Sequence, residues 1–456
     1  MSHVAHSSVE HLTEDGSGDA PQPSGSASRL SGVLRILAAL VGLQLVALAL
    51  VIAAEMVPDR LVADSLLEGI DRGWVTTTHH PTTGLDNRVD RWTECYALTM
   101  GLGDPPTSNN VQSAIINPQL GKCEISVPAL LAYRDGALLE SNFDYYRYWH
   151  GYTIVSRPSL AILGVAGARM LALALAVTAM VGTTVAVARS TSMAAAIVLV
   201  APAVLTSDFV DLGESLPHAL AAAACWGAAW LAWLGIQRRQ SLMRIAAIGV
   251  VTGVAAAFFD LMVFIPGTLA LISILMVVAA WMHGWRGRQL FGVGAVASVT
   301  WFLAFAITWA TKWFIAGFVV GFGEVIQTVR DQVSFRVDGE FNAVVDVFGE
   351  AARLNVSYWL ERPLGFLVPV GLLAAVVLGW RALQRRLVDP VYVVVVAGLA
   401  MVPLLWYEAL SSHSQIHFWI TYKSLPLAIG ALLFALVVAN TSNHLARNPQ
   451  ASLLRS

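Results

Sequence analysis

The chain has 456 residues, of which 56% are hydrophobic and only 13% charged, against roughly a quarter charged in soluble domains. Lipid is therefore its main solvent, which excludes an ordinary soluble enzyme or binding module. The net charge of −2 comes without a basic stripe or basic tail, so there is no nucleic-acid signature.

Residues 1–30 are rich in Ser, Gly, Pro, His and Asp and too polar to bury a core, so they read as a disordered cytoplasmic tail. The apolar run 36–57 is too long for a signal-peptide core and reads as an uncleaved first span. Further runs lie at 160–188, 191–206, 217–236, 245–262, 265–283, 290–311, 364–380, 390–407 and 420–440. An all-α polytopic membrane protein with about ten transmembrane helices is expected. Arg29 and Arg35, then Arg189, then Arg238, Arg239 and Arg244, then Arg286 and Arg288, then Arg381, Arg385 and Arg386, then Arg447 fall at alternate ends of these runs. By the positive-inside rule they face the cytoplasm with both termini. The expectation is a multi-pass protein of the cell membrane, with a transmembrane domain over 31–440 and a second cytoplasmic tail over 441–456.

The remaining loops are then external and hold most of the acidic and His residues. The first, 58–158, is long enough for a small folded cap, with helical pieces at 61–70 and 127–133 and a turn-rich break, GLGDPPTSNN, at 101–110. Cys95 and Cys123 lie in this loop and read either as one disulfide or as two free thiols. No CxxC or HExxH spacing occurs, so a structural zinc site is not expected. Asp86 and Asp90, in LDNRVDRWTEC, are candidates for a general base or members of a surface ion-pair network with Arg88 and Arg91.

The stretch 142–157, NFDYYRYWHGYTIVSR, precedes the second apolar run. As a helix it would align Asp144, Arg147, Tyr148 and Gly151 on one strip. It reads as an aromatic belt at the membrane surface or as a functional site, with Asp144 as a third candidate base and Arg147 and His150 as substrate contacts. Asp208, Asp211 and Glu214, in SDFVDLGESLPH, form either a polar hairpin capped by Ser207 or Asp208, or the lining of a site for a cation or sugar hydroxyls. Asp260, if buried, must pair, and Lys312 lies at a similar depth. Over 313–363, Val325, Val329, Val333, Phe341, Val344, Val345 and Phe348 suggest amphipathic helices resting at the interface, with most of the charges simply solvated. The last loop, WYEALSSHSQIHFWITYK, carries Glu408, His413, His417 and Lys423. Two His four residues apart are a weak metal signal and a better one for anion or hydroxyl contact. Lys122, Lys312 and Lys423 are the only lysines. Lys312 and Lys423, with Arg147 and Arg157, are candidates to neutralise a lipid-linked phosphate.

This arrangement, together with DYYRYWHGY (144–152) and HSQIHFWITYK (413–423), resembles the GT-C class of membrane glycosyltransferases and bacterial multi-span proteins of that type. The resemblance covers roughly 34–440. It implies an external active site, a polyprenyl-phosphate sugar donor, an acidic base in the long first external loop, and an envelope glycan, lipid or protein as acceptor. The base of that class lies early in the loop, where this chain has Glu55 and Asp59 but no pair of adjacent acids. Metal dependence varies across the class, so the cofactor is unknown, with a divalent cation as a candidate. Two other readings stand beside it: a transporter or flippase of an envelope precursor, which would place polar groups within broken spans, and a non-catalytic envelope-assembly scaffold, which would show an apolar external patch. The transferase reading expects the external loops to meet around one hollow open to a membrane lipid.

Overall fold

A computed structural model describes residues 25–77, 90–103, 109–238, 241–337 and 344–447. Within the first half lie α1 (Gly25–Glu55), α2 (Asp59–Asp71), α3 (Arg91–Leu98), α4 (Asn110–Ile116), β1 (Pro118–Gln119), α5 (Cys123–Arg134), β2 (Phe143–Asp144), α6 (Thr153–Ser190) and α7 (Met193–Thr206). A 3-10 turn, Phe209–Glu214, leads to α8 (Leu216–Arg238), α9 (Leu242–Phe259), α10 (Ile265–Met282), α11 (Arg288–Val320) and α12 (Phe322–Val337). The chain ends with α13 (Glu350–Leu360), α14 (Leu367–Gln384), α15 (Pro390–Ala400), α16 (Val402–Ala409), α17 (Ser411–Ile416), α18 (Phe418–Thr421) and α19 (Ser424–Arg447). The only sheet among the described residues is the antiparallel pair of β1 and β2, with Pro118 opposite Asp144 and Gln119 opposite Phe143.

Nine of the described helical segments are long and apolar enough to cross a membrane, which makes this an all-α multi-pass membrane protein. The run expected at 191–206 is the apolar helix α7, only 14 residues and roughly 21 Å long. It carries the chain back from the Arg189 end to the end where α8 begins. Helix α1 is already helical at Gly25, inside the stretch read as a tail, while residues 1–24 lie outside the described part. Two spans reach further toward the loops than hydropathy indicated. Helix α6 starts at Thr153 and takes in Arg157, and α11 runs on to Val320 and takes in Lys312. Both extensions carry a buried cation on a helix whose neighbouring turns are apolar, which a hydropathy window truncates.

Helix α10 sits at the centre, buried along nearly its whole length between α8, α11, α15 and α19, so its sequence is apolar all round. Helices α9 and α11 pack closely because Gly249 and Gly253, four apart, leave no side chain between α9 and the α11 backbone at Ala297 and Trp301. Helix α6 breaks at Gly164, whose φ of 71° is open to glycine at little cost.

The first loop folds back onto the bundle as a cap. Cys95 and Cys123 form a disulfide joining α3 to α5. Glu94 of α3 accepts two bonds from Arg169 of α6, at 2.8 and 2.7 Å, both side chains being buried. Arg157 holds the entry to the cap, donating to the carbonyls of Ala54, Val57 and Met100 and to Asp59, with Glu55 3.4 Å away.

Candidate functional site

The stretch 142–157 is not a helix. Its first residues form β2, the chain then turns, and α6 begins only at Thr153. The strip of Asp144, Arg147, Tyr148 and Gly151 therefore does not exist. The turn is fixed by aromatic donors, since the indoles of Trp309 and Trp313 on α11 both donate to the Arg147 carbonyl, at 2.7 and 3.1 Å. Trp149 turns the opposite way and donates to the Thr308 carbonyl at 2.6 Å. His150, with φ of 53°, lies a layer behind: its Nε2 faces the Tyr145 carbonyl at 2.7 Å and its Nδ1 the Tyr152 hydroxyl at 2.9 Å. A carbonyl can only accept, so Nε2 carries the proton and Nδ1 accepts from Tyr152. Burial, then the charge of Lys312, push this imidazole down to about 3, so it stays neutral and orients Tyr145.

What the turn exposes is a cavity of about 550 Å³. Arg147 and Tyr148 from the turn, Gln332 and Arg336 from α12, and His413 and His417 at α17 supply its polar lining. Leu261, Phe335, Ile416, Trp419 and Ile420 supply an apolar side. Arg336 is buried and donates to the Tyr148 hydroxyl at 2.6 Å and to the Gln332 side chain at 2.8 Å, while its Nε has no hydrogen-bond partner. His413 is 6% exposed, with its Nε2 also unpartnered and its ring 4.8 Å from that of His417. Burial, then the neighbouring His417 and Arg336, hold its pKa well below the usual imidazole value. Such a lining suits an amphiphile with an anionic head: cationic and neutral donors on one side, apolar surface on the other.

Asp144 lies outside this cavity, in an adjoining hollow of about 380 Å³ lined also by Glu324 and Thr328 of α12. Arg147 and Gln332 border both spaces. Partial burial, then the charge of Glu324, raise the Asp144 carboxyl above its ordinary range, which makes it a stronger base.

The remaining acids and lysines are elsewhere. Asp260 does not pair with Lys312. Its carboxylate accepts from the amides of Val263 and Phe264, at 2.7 and 2.8 Å, and so closes the turn into α10. Lys312 instead holds the first loop, donating to the carbonyls of Ala114 and Ile115 and to Asn117 Oδ1. Asp90 is not in a surface network. It caps α3 through Thr93, is buried, and lies 3.4 Å from His218. Burial alone would raise its carboxyl, but the His218 and Thr93 interactions prevail and hold it below the usual range. Asp86 lies outside the described residues. Asp208 does not cap a helix through its side chain. It accepts from the Tyr422 hydroxyl and faces Arg362 at 3.9 Å. Lys423 is buried within the field of Asp208, Asp211 and Asp90, and the charge of Glu214 acts on Arg169. Asp144 and His413 thus border neighbouring spaces, whereas Asp208 and Asp260 serve internal contacts. Among the described residues no three His, Cys, Asp or Glu side chains converge as a metal site.

Arg336, Gln332 and Glu324 are not among the sequence candidates, because the segment reads as interfacial amphipathic helices with most of its charges solvated. The signal was present, because Arg336 and Gln332 share a helical strip with Val325 and Val329, at spacings of four, three and four. A cation in register with apolar residues faces inward. Comparison of the chain with protein-family models, curated proteins and solved structures found no match.

Proposed function

We propose that the protein is a membrane glycosyltransferase of GT-C-like architecture, moving a sugar from a polyprenyl-phosphate donor to an envelope glycan, lipid or protein. The observation that carries this reading is the pairing of two adjoining spaces: a cavity with unpartnered Arg336 and His413 atoms beside an apolar wall, and a hollow holding a carboxylate of raised basicity. The donor phosphate sits against Arg336 and Arg147, with its lipid chain along Leu261, Ile416 and Ile420. The acceptor hydroxyl enters the Asp144 hollow. Asp144 takes the hydroxyl proton as the acceptor oxygen bonds to the sugar's anomeric carbon, and the bond from that carbon to the phosphate oxygen breaks with its electron pair leaving on phosphate. The guanidinium groups neutralise the charge that builds there. Arg147, bordering both spaces, fixes donor and acceptor relative to each other.

Asp144→Asn and His417→Ala test the reading. Each is expected to abolish envelope-glycan modification while leaving membrane abundance intact. Unchanged glycan in both variants counts against a transferase.

A further inference from the structure

Helix α12 divides into three faces. At 100° per residue, Val325, Thr328, Val329, Gln332, Phe335 and Arg336 fall on the side turned to the protein. Gln327 and Asp331, exposed and hydrogen-bonded to each other at 2.8 Å, mark a polar side. Between them, Phe322, Ile326, Val333 and Val337 form a stripe within about 60° of arc, each 43–52% exposed. The Val333 position is the only one of these four that the apolar pattern of the segment singled out. An apolar stripe of this kind needs a cover.

The cover is indicated by what the stripe continues. Phe314 and Phe318, on the last turns of the membrane-crossing α11, are 59% and 70% exposed. Phe318 and Phe314 contact the ring of Phe322 at 5.2 and 5.8 Å, across the bend at Gly321. The lipid-facing surface of α11 therefore runs without a break onto the stripe of α12. A helix with one lipid face, one water face and one protein face is the pattern of an element lying in the plane of the interface.

We infer that α12 is seated at the boundary of headgroups and acyl chains with its Phe322–Val337 stripe on lipid, and that the cavity it walls is loaded sideways from that leaflet. The same helix that rests on the bilayer presents Gln332, Phe335 and Arg336 to the cavity on its adjoining face, which puts the Arg336 guanidinium at the depth of the lipid headgroups. This holds whether or not the reaction is glycosyl transfer.

The test uses the full chain in phospholipid nanodiscs, with single cysteines introduced at exposed positions. The native cysteines are disulfide-bonded or buried and do not compete for label. Nitroxides at Ile326→Cys and Val333→Cys are expected to collide several-fold more with oxygen than with a water-soluble nickel chelate, as at Phe318→Cys. Gln327→Cys and Asp331→Cys are expected to show the reverse. Nickel-accessible labels at Ile326 and Val333 overturn the seating, and so do labels shielded from both agents, which would mean a protein partner or a second copy covers the stripe. For the loading, a bimane at Ile416→Cys, with Leu261→Cys as a second position, is expected to be quenched by a headgroup-level nitroxide lipid. Quenching by aqueous iodide alone, or by neither, overturns it.

Discussion

The Arg336 guanidinium donates to the Tyr148 hydroxyl at 2.6 Å, and this bond ties the interfacial helix α12 to the turn of the first loop across the cavity. One donor of the same guanidinium is left unpartnered in buried surroundings. A buried donor without an acceptor is costly, and an anionic head would relieve that cost.

Arg336→Ala is therefore expected to weaken binding of polyprenyl phosphate by roughly tenfold or more, since hydrogen bonds to charged groups contribute about 1.5–3 kcal/mol. Arg336→Lys should rescue little, because a single ammonium nitrogen lacks the planar fork by which separate guanidinium nitrogens reach Tyr148, Gln332 and a phosphate. Tyr148→Phe should cost less than either, leaving the guanidinium in place. Titration of the purified protein with the lipid phosphate reads all three, and wild-type affinity in Arg336→Ala sinks the assignment.

The Asp144 carboxyl gives a pH prediction. Partial burial and Glu324 raise its pKa, and a base must be ionised to act, so activity is lost as pH falls through that raised value. Glu324→Gln removes the second cause and leaves the first. The acid limb of the rate profile should move to lower pH in Glu324→Gln, with the alkaline side unmoved. A limb that stays in place would show that another group titrates.

How much of this was legible in the chain follows from the range of the interactions involved. A span is a local property, so the runs of apolar residues marked the bundle well, and among them only short α7 fell below the length of a full crossing. The cations were harder. Lys312 and Arg157 looked like loop residues available to a phosphate, but both lie inside helices and are held by carbonyls of the first loop, partners that no local pattern reveals. Asp90 read as a general base or as a surface partner of the neighbouring arginines, yet it is buried and its partner is His218, on another helix. The paired cysteines were legible as candidates, and the choice between thiols and disulfide required the fold of the cap. Arg336 could have been found from its register with Val325 and Val329, had the segment's charges been weighed by helical face.

Arg157 should prove the most sensitive structural position. It is 1% exposed and holds three carbonyls and two carboxylates, Asp59 and Glu55. Arg157→Ala leaves the buried Glu55 charge without this cation, a change that costs about 3–5 kcal/mol when one member of a buried pair is removed. Replacing both charges, Arg157→Met with Glu55→Met, should recover part of the loss. Thermal unfolding in detergent compares the three proteins, and a double variant less stable than Arg157→Ala alone would contradict the charge argument.

The disulfide gives the last prediction. It closes a loop with a sequence separation of 28, and the chain-entropy relation puts the stabilisation from such a closure at about 3–4 kcal/mol. Its effect reaches the cavity, because α3 carries Thr93 and Tyr96 into the lining, and Gln119 binds α3 to the small sheet through Thr99 and the Tyr96 carbonyl. The variant with Cys95→Ala and Cys123→Ala should unfold at a lower temperature and bind polyprenyl phosphate less tightly. Reductant should bring the wild-type protein down toward the same unfolding temperature and leave the variant unchanged, since Cys225 is a buried free thiol with no disulfide to lose. Equal unfolding temperatures for oxidised wild type and variant would mean that the polar contacts of Glu94 and Gln119 hold the cap without the covalent bond.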